Sequence, residues 1–145
     1  MEVTIKNIEH VTKKFLSGRG NVGWTGDFYR RRHKAGSIYS SEDKLIIEYI
    51  RDNFNNKEDI ILEPGCGLGQ IVLALGAFGF KAIGIDHDLK RYKNSNGLKT
   101  EFRKNFGPMN ISFLRKSYPN VRPEATLLVC NNFCGTHIRQ NEDKI

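Results

Sequence analysis

The stretch ILEPGCGLGQIV, residues 61–72, runs from an apolar segment into glycines at 65, 67 and 69 and then into a second apolar segment. Ile60, Ile61 and Leu62 have the short, branched, breaker-free composition of a buried strand. Gln70 to Phe78 reads as a helix stopped by Gly79. The glycines fall between the two, so the stretch predicts strand, tight turn, helix. Outward from it the same alternation continues. Ala82 to Ile85 is a second strand ending in Asp86, and Leu89 to Phe106 a helix with Leu98, Phe102 and Phe106 at four-residue spacing, ended by Gly107-Pro108. Ile111 to Leu114 is a third strand and Thr126 to Cys130 a fourth. Upstream, Ser40 or Ser41 caps a helix with Glu42 and Asp43 in its first turn. Its apolar face is drawn by Leu45, Ile46, Tyr49, Ile50 and Phe54, and Asn55-Asn56 closes it. Near-continuous apolar strands separated by helices predict an open α/β sandwich with a parallel sheet and right-handed crossovers.

The whole chain has 145 residues, 39% of them hydrophobic and 27% charged, the size and balance of one domain with a real core. No run approaches the roughly 18 apolar residues of a membrane span. The N-terminus, with Glu2 and Glu9, does not read as a secretory signal, so cytosol or nucleus is the expected destination. Cys66, Cys130 and Cys134 form no scaffold-like pattern and predict reduced thiols. Cys130, Cys134 and His137 lack an obvious fourth ligand, so no metal is expected.

Net charge is +7 and unevenly spread. Lys13 to Lys34 holds seven lysines and arginines against Asp27 alone, and Lys81 to Lys116 holds nine against Asp86, Asp88 and Glu101. Such zones favour a polyanionic partner. Arg30, Arg31 and Arg32, beside Trp24, Phe28 and Tyr29, are the candidate phosphate contacts. Ile8, Val11 and Phe15 have helical spacing, whereas Ser17 to Gly36 carries five glycines and reads as an extended arm. The expected organisation is therefore a basic, glycine-rich N-terminal arm over 1–36 and a ligand-binding domain over 37–145.

The glycine turn lies where open α/β sheets bind ligands, at the carboxyl ends of the strands. It lacks the lysine and Ser/Thr of a phosphate-gripping loop. Glu63 at the strand tip would repel a pyrophosphate, but tolerates the ammonium group of a cationic nucleoside such as S-adenosylmethionine. Asp86 ends the next strand 21 residues after Gly65, close to the spacing at which an acid accepts from ribose hydroxyls.

These residues resemble the class I methyltransferases: EPGCGLGQ matches their first motif and GIDHD their second. Gln70 after the last glycine, the piece Glu101-Phe102-Arg103-Lys104, and Asn131-Asn132-Phe133 after strand four look more narrowly like the non-SET histone lysine methyltransferases, the disruptor-of-telomeric-silencing family. Gly36 to Ser40 sits where that family has a loop closing over the cofactor. The resemblance covers roughly residues 36–135 and implies a Rossmann-like sheet with S-adenosylmethionine as cofactor. By the same resemblance Glu63, Gly65, Gly67, Gly69 and Gln70 line the methionine end and Asp86 holds the ribose. Asn131 sits by the transferable methyl, Phe133 shapes the lysine channel, and Tyr39 with Ser40 covers the site. Histones and DNA phosphate, hence nucleosomes in the nucleus, are the implied partners, with no membrane.

Two departures qualify the match. The Asp-Phe pair that binds adenine in that family is replaced by Leu114-Arg115-Lys116-Ser117-Tyr118-Pro119, where Tyr118 offers a ring for stacking but no carboxylate. The family's sheet also has three strands beyond the fourth. Here the expectation is a sheet truncated after strand four: either the chain is a fragment, or its apolar edge calls for a second copy or a partner to cover it. Two other functions fit the same residues: methylation of nucleic-acid amines, against which the absence of proline between Asn131 and Phe133 counts, and a non-catalytic cofactor-binding remnant.

Overall fold

The computed structural model describes residues 1–17, 19 and 38–131. Among these it contains four helices and four strands. In chain order they are α1 (Ile5–Leu16), α2 (Ser41–Asn53), β1 (Ile60–Pro64), α3 (Gln70–Ala77), β2 (Lys81–Ile85), α4 (Leu89–Phe106), β3 (Ile111–Leu114) and β4 (Leu127–Leu128). All four strands are parallel, in the order β3-β2-β1-β4. The chain moves outward from β1 to β2 to β3 and then returns to the other side of β1. The crevice where the order reverses therefore opens between the carboxyl ends of β1 and β4.

Strand alternation sorts the core into two faces. Ile61, Ala82, Ile111 and Phe113 point into the larger cluster, where all four helices pack. Leu62, Ile83 and Ile85 point the other way and are covered by Ile60, Leu114, Tyr118 and Ala125. Helix α3 is buried from Gln70 to Gly76, as its lack of any charged residue requires. Helix α4 buries only Ser95, Leu98 and Phe102, and its other faces carry the lysines and arginines.

Two differences from the sequence reading have physical causes. Strand β4 pairs with β1 only through Leu127 and Leu128, although Thr126 N–H to Ile60 O (2.8 Å) and Val129 N–H to Leu62 O (2.8 Å) extend the contact at both ends. Helix α2 buries Asp43, Ile47 and Ile50, whereas Leu45 and Tyr49 are 65% and 63% exposed. Its sequence carries two apolar stripes, and the one that brings Asp43 inward is the one that packs. Ile5–Leu16, where Ile8, Val11 and Phe15 have helical spacing, is a helix that buries Ile8, Val11, Thr12, Phe15 and Leu16. From residue 20 on, the segment read as an arm, with Arg30, Arg31 and Arg32, lies outside the described residues. Cys66 is a buried free thiol, but Cys130 is disulfide-bonded, which departs from the expected reduced set.

Candidate functional site

The site grows from the turn between β1 and α3. Gly65, Gly67 and Gly69 all have positive φ, at 65°, 60° and 80°, a region that side chains other than glycine's disfavour. At Gly69 a side chain is excluded twice over, because a Cβ there would also run into the Phe113 ring. The turn is stitched by Cys66 N–H to Ile85 O (3.1 Å) and Gly69 N–H to Cys66 O (2.9 Å). Its middle is held from the next strand: Gly67 N–H donates to Asp86 Oδ2 at 2.9 Å. The other Asp86 oxygen accepts from Asp88 N–H at 3.0 Å, and the Arg91 guanidinium stands 3.6 Å from Oδ2. The expected ribose acid thus shapes the turn itself.

Glu63 and Gln70 flank the turn from its two ends. Both are buried, and among the described residues Oε1 of each has no hydrogen-bond partner. Burial pushes the Glu63 carboxyl well above its usual range, and the neighbouring Asp43 and Asp86 push it further. A buried acceptor without a donor costs about 1–3 kcal/mol, and there is one at each end of the turn. They fit a ligand end that brings several N–H donors and positive charge. Cys66, whose thiol is also raised by burial, packs in the larger cluster.

Tyr39 is fully buried, with its hydroxyl 2.9 Å from the Gln70 carbonyl, to which it donates, and 3.3 Å from Thr12 Oγ1. Burial raises its pKa, so the phenol keeps its proton. This hydroxyl anchors the start of α3 to α1. Ser40 next to it caps α2: it accepts from Asp43 N–H (3.0 Å) while its own N–H donates to Asp43 Oδ2 (3.1 Å). Asn131 follows β4 and donates through Nδ2 to Asp43 Oδ1 at 2.8 Å. Tyr118, after β3, packs on Leu62, Ile83 and Ile85. Phe133 lies outside the described residues, as do Cys134 and His137.

Asp43 and Asp86 are the charged neighbours of Glu63, and Asn131 is tied to Asp43. Asp43 is the member the sequence reading missed. It was legible only as a first-turn acid, although the Ser40-x-x-Asp43 spacing of a capping box was there to be read.

No protein-family model and no curated protein sequence matches this chain. Solved structures do. Magnesium protoporphyrin IX methyltransferase (ChlM) from Synechocystis PCC 6803 with bound SAH aligns at a TM-score of 0.59 and 14% identity, over 86% of this chain and 52% of that one. An RNA methyltransferase from Salinibacter ruber in complex with S-adenosyl-L-homocysteine aligns at 0.56 and 16% identity, over 72% and 66%. The bifunctional kinase-methyltransferase WbdD aligns at 0.58 and 18% identity, over 86% of this chain and 28% of its own. The fold is that of the class I methyltransferases. At these identities the likeness is one of architecture, and the chain spans about half the length of the porphyrin methyltransferase. Among the described residues, no helix is long and apolar enough to cross a membrane.

Proposed function

We propose that this chain binds S-adenosylmethionine in the crevice between β1 and β4 and takes part in methyl transfer to an amine. The observation that carries this reading is the pair of buried, unpartnered acceptors, Glu63 Oε1 and Gln70 Oε1, on either side of a glycine turn. When bound, the cofactor would supply an electrophilic methyl to an acceptor nitrogen's lone pair, with sulfur keeping the bond pair as a neutral thioether and the displaced proton passing to water. Glu63 and Gln70 accept from the cofactor's ammonium group, and the Glu63 carboxyl ionises against that charge. Asp86 accepts from the ribose while holding Gly67. The glycines keep side chains out of the way. Asn131 provides a neutral dipole at the far end, which suits a site that already holds a cation.

For the substrate, lysine of a nucleosomal histone is the reading that Asn131 and Gln70 support by their match to the non-SET lysine methyltransferases, with the Arg30 to Arg32 segment meeting DNA phosphate. Exposed Lys90, Lys93, Arg115 and Lys116 follow β2 and β3 at the same edge of the sheet as the glycine turn. They add positive charge where a polyanion would approach, which equally favours a second reading, methylation of nucleic-acid amines.

Calorimetric titration of the purified chain with S-adenosylhomocysteine tests the cofactor. Saturable binding, abolished by Asp86→Ala, is expected; a folded chain that binds none would refute the proposal. Labelled methyl transferred to nucleosomes but not to free DNA or RNA selects the first substrate class, and the reverse the second.

A further inference from the structure

Lys13, Lys14 and Arg19 belong to one basic stretch of the sequence and α4 to the other, and the two stretches meet where α1 packs against α4. The contact is close: a Cβ on Gly97 would stand 3.1 Å from the Phe15 ring. Beside it lies a cleft of about 390 Å³. His10, Lys14 and Phe15 line it from α1, Glu101 and Asn105 from α4, and Arg19 from just beyond α1. His10 and Lys14, four residues apart, share one face of the helix.

The charges in this cleft do not balance. Glu101 is answered by Lys104, whose Nζ lies 3.4 Å from its Oε1. Lys14 and Arg19 are exposed and make no ion pair among the described residues. A helix C-terminus carries about half a negative charge, and Lys13 in the last turn of α1 already offsets it. Two cations are left over. Arg19 also has a fixed place, with its guanidinium carbon 3.9 Å from the centre of the Phe15 ring, the separation of a face-on contact. The ring covers one face of the guanidinium plane, and the exposure of Arg19 leaves the other open. Such a plane stacks on a nucleobase. Across the cleft, the Glu101 carboxylate is an acceptor for a base amino group.

We propose that the cleft between α1 and α4 is a nucleotide site. Arg19 stacks on the base, Lys14 and His10 hold the phosphate, and Glu101 meets the base edge. The volume suits a small ligand, since such cavities run from about 300 to 1,000 Å³. The site shares no lining residue with the β1–β4 crevice and does not depend on the methyl-transfer reading. Its ligand chemistry, a flat base joined to a phosphate, is offered both by a free nucleotide and by one unit of a single strand.

Calorimetric titration of the full chain with cytidine 5′-monophosphate tests the site, first alone and then with saturating S-adenosylhomocysteine. Saturable one-to-one binding, equal in both, is expected. Cytidine and inorganic phosphate, each lacking one half of the ligand, are expected to bind at least about 10-fold more weakly. Lys14→Ala is expected to weaken the nucleotide about 10-fold, the scale of one charged contact. Arg19→Lys keeps the charge and loses the plane, so it is expected to weaken the nucleotide about 5-fold and leave inorganic phosphate unchanged. Both side chains are exposed, so thermal midpoints stay at the wild-type level. A ten-residue oligocytidylate that binds more tightly than the mononucleotide, and is weakened by Arg19→Lys, identifies a strand as the source; equal affinity identifies the free nucleotide. A folded chain that binds no cytidine 5′-monophosphate overturns the proposal. Binding that neither variant alters, that S-adenosylhomocysteine displaces, or that inorganic phosphate matches overturns it as well. A chain that binds the nucleotide but no S-adenosylhomocysteine refutes the methyl-transfer reading and leaves this site standing.

Discussion

Gly69 illustrates how much one residue decides. Its φ of 80° and the Phe113 ring behind it together leave room for hydrogen alone. Gly69→Ala is expected to cost roughly 2–5 kcal/mol, from left-handed strain and overpacking together, read as a shift in urea midpoint. Tyr39→Phe, by contrast, removes one donor from the Gln70 carbonyl and nothing from the core volume, so a loss of about 1 kcal/mol is expected in the same measurement. Glu63 sets the pH response. Burial raises its pKa, so the folded chain holds this proton more tightly than the unfolded chain does. Stability without ligand then falls as pH climbs from the ordinary glutamate range, about 4.3, towards the higher folded value, and levels off above it. Glu63→Gln is expected to flatten that fall in denaturation curves taken across pH. Binding of the cationic cofactor should also release protons in wild type and fewer in Glu63→Gln, measured by calorimetry in buffers of different ionisation enthalpy.

Elements were legible where local chemistry and tertiary packing agreed. The bounds of α4 and β3 could be read directly, because Asp88, Gly107 and the apolar pairs Ile111 and Phe113 punctuate them without ambiguity. Helix α2 shows the limit. Its sequence offers two apolar stripes, and only contact with α3, which composition does not encode, decides that Ile47 and Ile50 go in while Leu45 and Tyr49 stay out. The glycine turn and Asp86 were legible for a related reason: backbone needs at a strand-to-helix turn leave a mark in sequence. The Asp43–Asn131 contact leaves none, since nothing local links positions 88 residues apart. Exposed Leu45 and Tyr49 line a shallow groove with Leu127, Leu128 and Val129 at the open side of β4. Leu128, 44% exposed on that edge strand, has an aggregation cost and little packing value. Leu128→Lys is expected to lower light scattering in concentrated solution with the thermal midpoint unchanged.

At the scale of the whole molecule, the order β3-β2-β1-β4 has a kinetic meaning. Pairing of β1 with β2 joins Ile61 to Ala82, a short closure through α3, and β2 with β3 is similar. Pairing of β1 with β4 joins Ile61 to Leu127, a closure three times as long and about 1 kcal/mol more costly in chain entropy. Only two residues pair there to offset it. The first three strands are therefore expected to assemble early and β4 to dock late, so that in pulsed hydrogen exchange the amides of Thr126 and Val129 gain protection after those of Ala82 and Asp86. The two sides of the crevice would then have separate histories: the pocket of glycines and acids is in place before Asn131 arrives. A nascent chain could already hold its small molecule, and the ligand would serve as a template against which the last strand is fitted.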